Sequence, residues 1–139
     1  MSYFYSPPPI VVDASATIEM LVDNEKWLVL FTDWASNDRI LLAPGGFLPE
    51  LANALMLGRS RLAANAAASR IDRALASGIE IADRGLAGLT EAVRLAEAHR
   101  LTVYDALYLE LALDVDAELA TEDRTLMNAA TAEGVTLVG

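Results

Sequence analysis

Four acids far apart in the chain, Asp13, Glu50, Asp105 and Asp123, are the side chains best placed by sequence to do chemistry. In an open α/β sheet, ligands sit beyond the carboxyl ends of the strands, where helix N-termini also point. Asp13 closes an apolar strand, Glu50 opens the helix after the second strand, Asp105 lies in a helix's first turn, and Asp123 directly follows the fourth strand. Carboxylates brought to one edge raise one another's pKa. A hard divalent cation such as Mg²⁺ or Mn²⁺ removes that conflict, because it prefers oxygen ligands and keeps several waters. Such an ion activates water and neutralises a phosphodiester, which is hydrolytic nuclease chemistry. Ser15 and Thr121, each two residues from one of the acids, are candidates to orient those carboxylates from a second layer. Taken singly, Glu50, Asp105 and Asp123 are also explained by capping and the helix dipole. Asp13 stands apart, since an acid ending a strongly apolar strand has little local reason to be there.

Other polar residues carry less. Glu110 lies five positions after Asp105, about 140° round the helix, and is expected in solvent. Tyr104 and Tyr108 share one helix side and are expected to pack, with stacking on RNA the alternative. His99, the one histidine, falls at a helix C-terminus and is expected to be structural. Arg59, Arg61, Arg70 and Arg73 border or occupy a stretch without acids and are the candidates for phosphate contact, against the reading of an ordinary helical surface.

The elements that must position these residues alternate. Ile10 to Val12 reads as a buried parallel strand, Ala14 to Val22 as a helix with Ser15 as its cap, and Glu25 to Ser36 as a second helix. Arg39 to Ala43 is a short strand. Pro44-Gly45-Gly46 is a loop, with Pro49 in the first turn of a helix to Leu57. Leu62 to Ala76 is helical and Ile79 to Ala82 a third strand. Leu89 to His99 is a helix burying Leu89, Val93, Leu95 and Ala96, and Thr102 caps a helix running through Leu113. Ala117 to Ala120, Arg124 to Ala132 and Val135 to Val138 complete the pattern as strand, helix, strand. The expected fold is α/β, a central parallel sheet of about five strands covered by helices on both faces.

With 139 residues, 54% of them hydrophobic and 22% charged, the chain has the size and composition of one globular domain. The absence of cysteine excludes disulfides, thiolate metal sites and cysteine nucleophiles. Residues 1–9, ending in three prolines, are read as an extension without assigned function, and residues 10–139 as the domain. The extension lacks the basic and apolar regions of a signal peptide, and the apolar runs are too short to span a membrane, so a cytoplasmic protein is expected. A net charge of −10 runs against the basic footprint of most nucleic-acid binders. Part of that charge would be the metal site itself.

At the four acids the sequence resembles the PIN-domain family, and within it the VapC-type toxins of toxin–antitoxin pairs. The resemblance rests on Val11-Val12-Asp13-Ala14-Ser15, Leu48-Pro49-Glu50-Leu51-Ala52-Asn53, Tyr104-Asp105-Ala106-Leu107-Tyr108 and Thr121-Glu122-Asp123. It implies a Rossmann-like fold and a metal-dependent endoribonuclease using Mg²⁺ or Mn²⁺. Asp13 and Asp105 would bind the metal directly, and Glu50 and Asp123 through water or a second ion. It also implies an RNA substrate, a homodimer and a VapB-type antitoxin reaching the acidic pocket. The Thr121 spacing and the family pattern favour Asp123 over its neighbour Glu122. Two other readings stay open: a stand-alone RNA-processing nuclease and a non-catalytic RNA- or antitoxin-binding module. A response-regulator receiver and a haloacid-dehalogenase-type phosphatase both need a lysine in the site, and the single lysine, Lys26, does not supply it.

Overall fold

A computed structural model describes residues 6–139. Residues 1–5 of the proline-rich extension lie outside the described residues. Twelve elements follow in chain order: β1 (Ile10–Val12), α1 (Ala14–Leu21), α2 (Glu25–Ser36), β2 (Leu41–Ala43), α3 (Phe47–Leu57), α4 (Ala64–Ala76), β3 (Ile79–Ile81), α5 (Gly85–His99), α6 (Val103–Asp114), β4 (Glu118–Ala120), α7 (Arg124–Ala132) and β5 (Leu137–Val138). The five strands form one parallel sheet in the order β3-β2-β1-β4-β5. This is an α/β Rossmann-like arrangement, as the alternation of strands and helices required.

Central β1 has no exposed residue, which is why Ile10-Val11-Val12 is apolar throughout rather than alternating. Its register sets Ile10 against Leu41 on one side and Val12 against Ala120 on the other. The chain leaves β1 for β2 in one direction and reaches β4 in the other. The carboxyl ends of β1 and β4 therefore flank a switch point of the sheet, where such folds bind ligands. Below the sheet, Arg39 donates to the Pro8 carbonyl and to Glu118 Oε1 (2.8 and 2.7 Å), tying the lead-in of β1 to β2 and β4.

Two expectations about helix faces are corrected. On α5, Leu89 and Val93 are exposed, and the buried stripe is Gly88, Ala92 and Ala96. These small residues face α6 and let the two helices approach closely. A Cβ at Gly88 would collide with that of Arg84 and come within 3.3 Å of Glu110 Oε2. The same approach buries Glu110, expected in solvent but only 4% exposed, where it accepts from Arg84 Nε at 3.0 Å. Helix α5 also begins four residues earlier than its apolar pattern suggested, at Gly85, whose φ of 60° turns the chain into the helix. Among the described residues no helix is long and apolar enough to cross a membrane.

Candidate active site

Asp13 is where strand becomes helix. Its amide still donates to the Ala120 carbonyl across the sheet (3.1 Å). Its own φ and ψ are extended, and its carboxylate accepts the Ala16 amide at 2.9 Å, making it the N-cap of α1. Ser15, expected as the cap, is already inside the first turn and instead donates its hydroxyl to Asp13 Oδ1 at 2.7 Å. Thr121 Oγ1 donates to Asp13 Oδ2 from the end of β4. The acid therefore has a local reason to end the strand after all, as a cap. Its carboxylate is 3% exposed, and burial outweighs these hydrogen bonds, pushing its pKa up to about 6.

Glu50 belongs to the first turn of α3, which the Pro44-Gly45-Gly46 loop delivers by a bond from the Phe47 amide to the Pro44 carbonyl (3.0 Å). Tyr108 Oη donates to Glu50 Oε2 at 3.0 Å. Burial chiefly, together with the charges of Asp105, Asp13 and Asp123, raises Glu50 to about 7 despite that bond. Asp105 occupies the first turn of α6, its amide donating to the hydroxyl of the cap Thr102 at 3.1 Å. Burial and then the nearby Asp123 raise its pKa too. Asp123 caps α7 by accepting the Leu126 amide at 2.8 Å, and its own amide donates to Thr121 Oγ1 at 2.9 Å.

The four predicted acids are thus brought within electrostatic reach of one another, each at a helix N-terminus. Four N-terminal dipoles offset part of the repulsion. Among the described residues, none of the four takes part in an ion pair with Arg, Lys or His. The donor set is carboxylate oxygen alone, which suits a hard divalent cation. As placed, no group of three or more His, Asp or Glu side chains among the described residues forms a cage for an ion.

Ser15 and Thr121, the predicted orienting hydroxyls, both bond Asp13, and they lie 3.4 Å from each other. The four arginines separate into two pairs. Arg70 and Arg73 both donate to the Leu21 carbonyl, the latter at 3.2 Å, so they close the C-terminus of α1, and Arg73 also pairs with Asp23 at 2.9 Å. Arg59 and Arg61 lie exposed in the α3–α4 turn, where Arg59 reaches Glu19 at 3.3 Å. Arg59, Ser15, Ile18, Ala54 and Glu122 line a groove of about 540 Å³ that runs from this turn to the edge of the acid cluster.

Sequence reasoning missed the part Tyr108 plays. It is buried, as packing required, but its hydroxyl also holds Glu50. The signal was available, since Tyr108 follows Asp105 by three residues and so shares its helix face. Tyr104, the other aromatic on that side, is exposed. His99 is structural in placement, its Nε2 meeting Glu133 at 2.6 Å and joining the ends of α5 and α7.

Residues 10–132 match the family model of the PIN domain. Among curated proteins, none matches this sequence. Of solved structures, the chain is similar to PAE2754 from Pyrobaculum aerophilum, with a TM-score of 0.66, 25% identity, and 89% of this chain and 87% of that one covered. It is also similar to the Mycobacterium tuberculosis toxin VapC20, described as cleaving the sarcin-ricin loop, with a TM-score of 0.71, 15% identity and coverage of 93% and 98%. A third likeness is to VapBC2 from Rickettsia felis, bound to a DNA fragment of its promoter, with a TM-score of 0.66, 15% identity and coverage of 93% and 96%. With the family model spanning all four acid- and hydroxyl-bearing segments of the site, the chain belongs to the PIN-domain family, whose members are nucleases.

Proposed function

We propose that this chain is a metal-dependent endoribonuclease and the toxin of a VapBC-type pair, with Asp13, Glu50, Asp105 and Asp123 as its catalytic and metal-binding residues. The observation that carries the reading is the convergence of four carboxylates on helix N-termini, none of them paired with a cation among the described residues. Such a cluster is stable in ionised form only with a counter-ion supplied from outside. Asp13 and Asp105 would hold Mg²⁺ or Mn²⁺ directly, with Glu50 and Asp123 acting through water or on a second ion. Bound there, the cation would supply water activation and charge neutralisation at the scissile phosphodiester.

The remaining work falls to the protein's own groups. Ser15 and Thr121 fix the Asp13 carboxylate in one orientation, so its lone pairs are aimed before an ion arrives. Tyr108 does the same for Glu50, donating its hydroxyl to Glu50 Oε2. Arg59 and Arg61, exposed beside the groove, are placed to meet a phosphate backbone, and Arg70 and Arg73 are left as supports of α1. Fold likeness to VapC20 and VapBC2 supports the toxin assignment and a VapB-type antitoxin; a homodimer and a cytoplasmic location belong to the same proposal.

The test is cleavage of RNA by the purified protein with Mg²⁺ or Mn²⁺, stopped by EDTA. Cleavage that survives EDTA would sink the reading. Growth arrest on induction, relieved by a small protein encoded beside it, separates the toxin from a stand-alone nuclease.

A further inference from the structure

The turn from β4 to α7 sets two acids side by side, Glu122 and Asp123, and Trp27 decides between them. In this extended turn successive side chains leave on opposite sides. Thr121 and Asp123 face the acid cluster, while the carboxylate of Glu122 accepts the indole N–H of Trp27. The ammonium of Lys26 lies 3.6 Å from the same Glu122 oxygen and 4.9 Å from the centre of the Trp27 ring. Trp27 is fully buried near the start of α2, with the backbone of Gly139 against its ring. A buried indole N–H left without an acceptor is costly, so the ring that packs the core also demands a partner at the edge of the site. The Glu122 amide completes the fastening by donating to Ser15 Oγ at 2.9 Å, and Ser15 in turn holds Asp13.

We propose that Trp27 is a positioning residue of the acidic site: with Lys26 it holds the Glu122 carboxylate outside the cluster and leaves Asp123 as the fourth acid. The proposal rests on the metal-site reading above. Without the indole, Glu122 keeps only a half-exposed lysine, which water solvates as readily. A second carboxylate on the same turn then competes with Asp123 for the cation.

Two indole N–H signals, from Trp27 and Trp34, make the contact directly visible in ¹H–¹⁵N spectra of the cation-free protein. Glu122→Gln weakens the acceptor and moves the Trp27 signal upfield; an unmoved signal overturns the clamp whether or not Trp27→Phe folds. Mg²⁺ affinity by calorimetry gives the second readout. Trp27→Phe keeps a ring in the core but loses the donor, and weakens Mg²⁺ binding about tenfold, the scale at which groups behind metal ligands act. Its kcat falls while KM for RNA is unchanged. Trp27→Phe/Glu122→Gln recovers most of the loss, because a neutral amide does not compete for the ion. A packing defect would not be recovered. A folded Trp27→Phe protein with normal Mg²⁺ affinity, or a loss that Glu122→Gln leaves in place, overturns the proposal. If the unaltered protein binds no Mg²⁺ at all, the metal-site reading has failed instead.

Discussion

Helix α6 carries acids of two kinds, and they are built to opposite rules. Along its middle, Glu110 is buried but meets Arg84 at 3.0 Å, and Asp114 meets the same guanidinium at 3.1 Å. Those contacts in turn hold the Arg84 guanidinium above its ordinary pKa. At its first turn, Asp105 joins Asp13, Glu50 and Asp123, and none of these four has a basic partner among the described residues. The first group shares one guanidinium between two carboxylates and fastens α5 to α6. The second has no paired cation among the described residues, with Asp13 and Glu50 pushed up to about 6 and 7, chiefly by burial. Burial alone does not mark a functional acid; burial without a counter-charge does.

The contrast breaks most sharply on substitution. Asp13→Asn and Asp105→Asn are each expected to lower RNA cleavage at least about a hundredfold with the fold intact, measured by gel assay and circular dichroism. Glu110→Gln is expected to do the reverse, lowering Tm by about 5 °C while leaving cleavage unchanged. Full activity in either aspartate variant would place the site elsewhere.

Cation binding should separate the two groups next. At a concentration a hundred times its Kd, Mg²⁺ or Mn²⁺ is expected to stabilise the protein by about 2.7 kcal/mol. Asp13→Asn should lose that gain and Glu110→Gln should keep it.

Acidity gives a third separation. For an acid whose folded pKa exceeds its unfolded value, the native state holds the extra proton in between. Its contribution is therefore full below the unfolded pKa and is lost as pH rises through the folded one. For Asp13 that window runs from 3.8 to about 6, and for Glu50 from 4.5 to about 7. Cation-free stability is expected to fall across this range, on the order of 3 kcal/mol for fully buried Asp13. Denaturant titrations at several pH values measure the slope; saturating Mg²⁺ should flatten it, and a flat cation-free profile would contradict the charge imbalance.

The smallest effect sharpens the comparison within the site. Tyr108→Phe removes a bond that lowers the pKa of Glu50. The pH profile of cation-free stability is therefore expected to extend to higher pH, with stability changed by about 1 kcal/mol or less. An unmoved profile would make Tyr108 packing only.

Much of the site was legible because its residues obey local rules. Asp13, Glu50, Asp105 and Asp123 all sit at helix starts, and strand-to-helix transitions can be read from apolar runs and breakers. The same locality hid a distinction. Asp13 is itself the cap of α1, so Ser15 is freed to orient it, a swap of roles between residues two apart. Glu110 was misjudged because its helix face was weighed without knowing that α5 covers it. Leu89 and Val93 were misjudged for the complementary reason: α5 approaches through its small residues, not its large ones.

By itself the sequence determined the order of elements, the parallel α/β layout and the placing of four acids at helix starts, since these follow from hydrophobic period, caps and turns within a few residues. Only the tertiary structure decided what each polar group meets. It gave Glu110 an arginine and Tyr108 a carboxylate. It turned Arg70 and Arg73 inward to a helix end, and drew Glu122 to an indole 95 residues away. Those pairings are set by how helices cross and how closely they approach, which depends on residues distant in sequence. The imbalance that distinguishes the acid cluster belongs to that second class: it is defined by which counter-charges the fold leaves out.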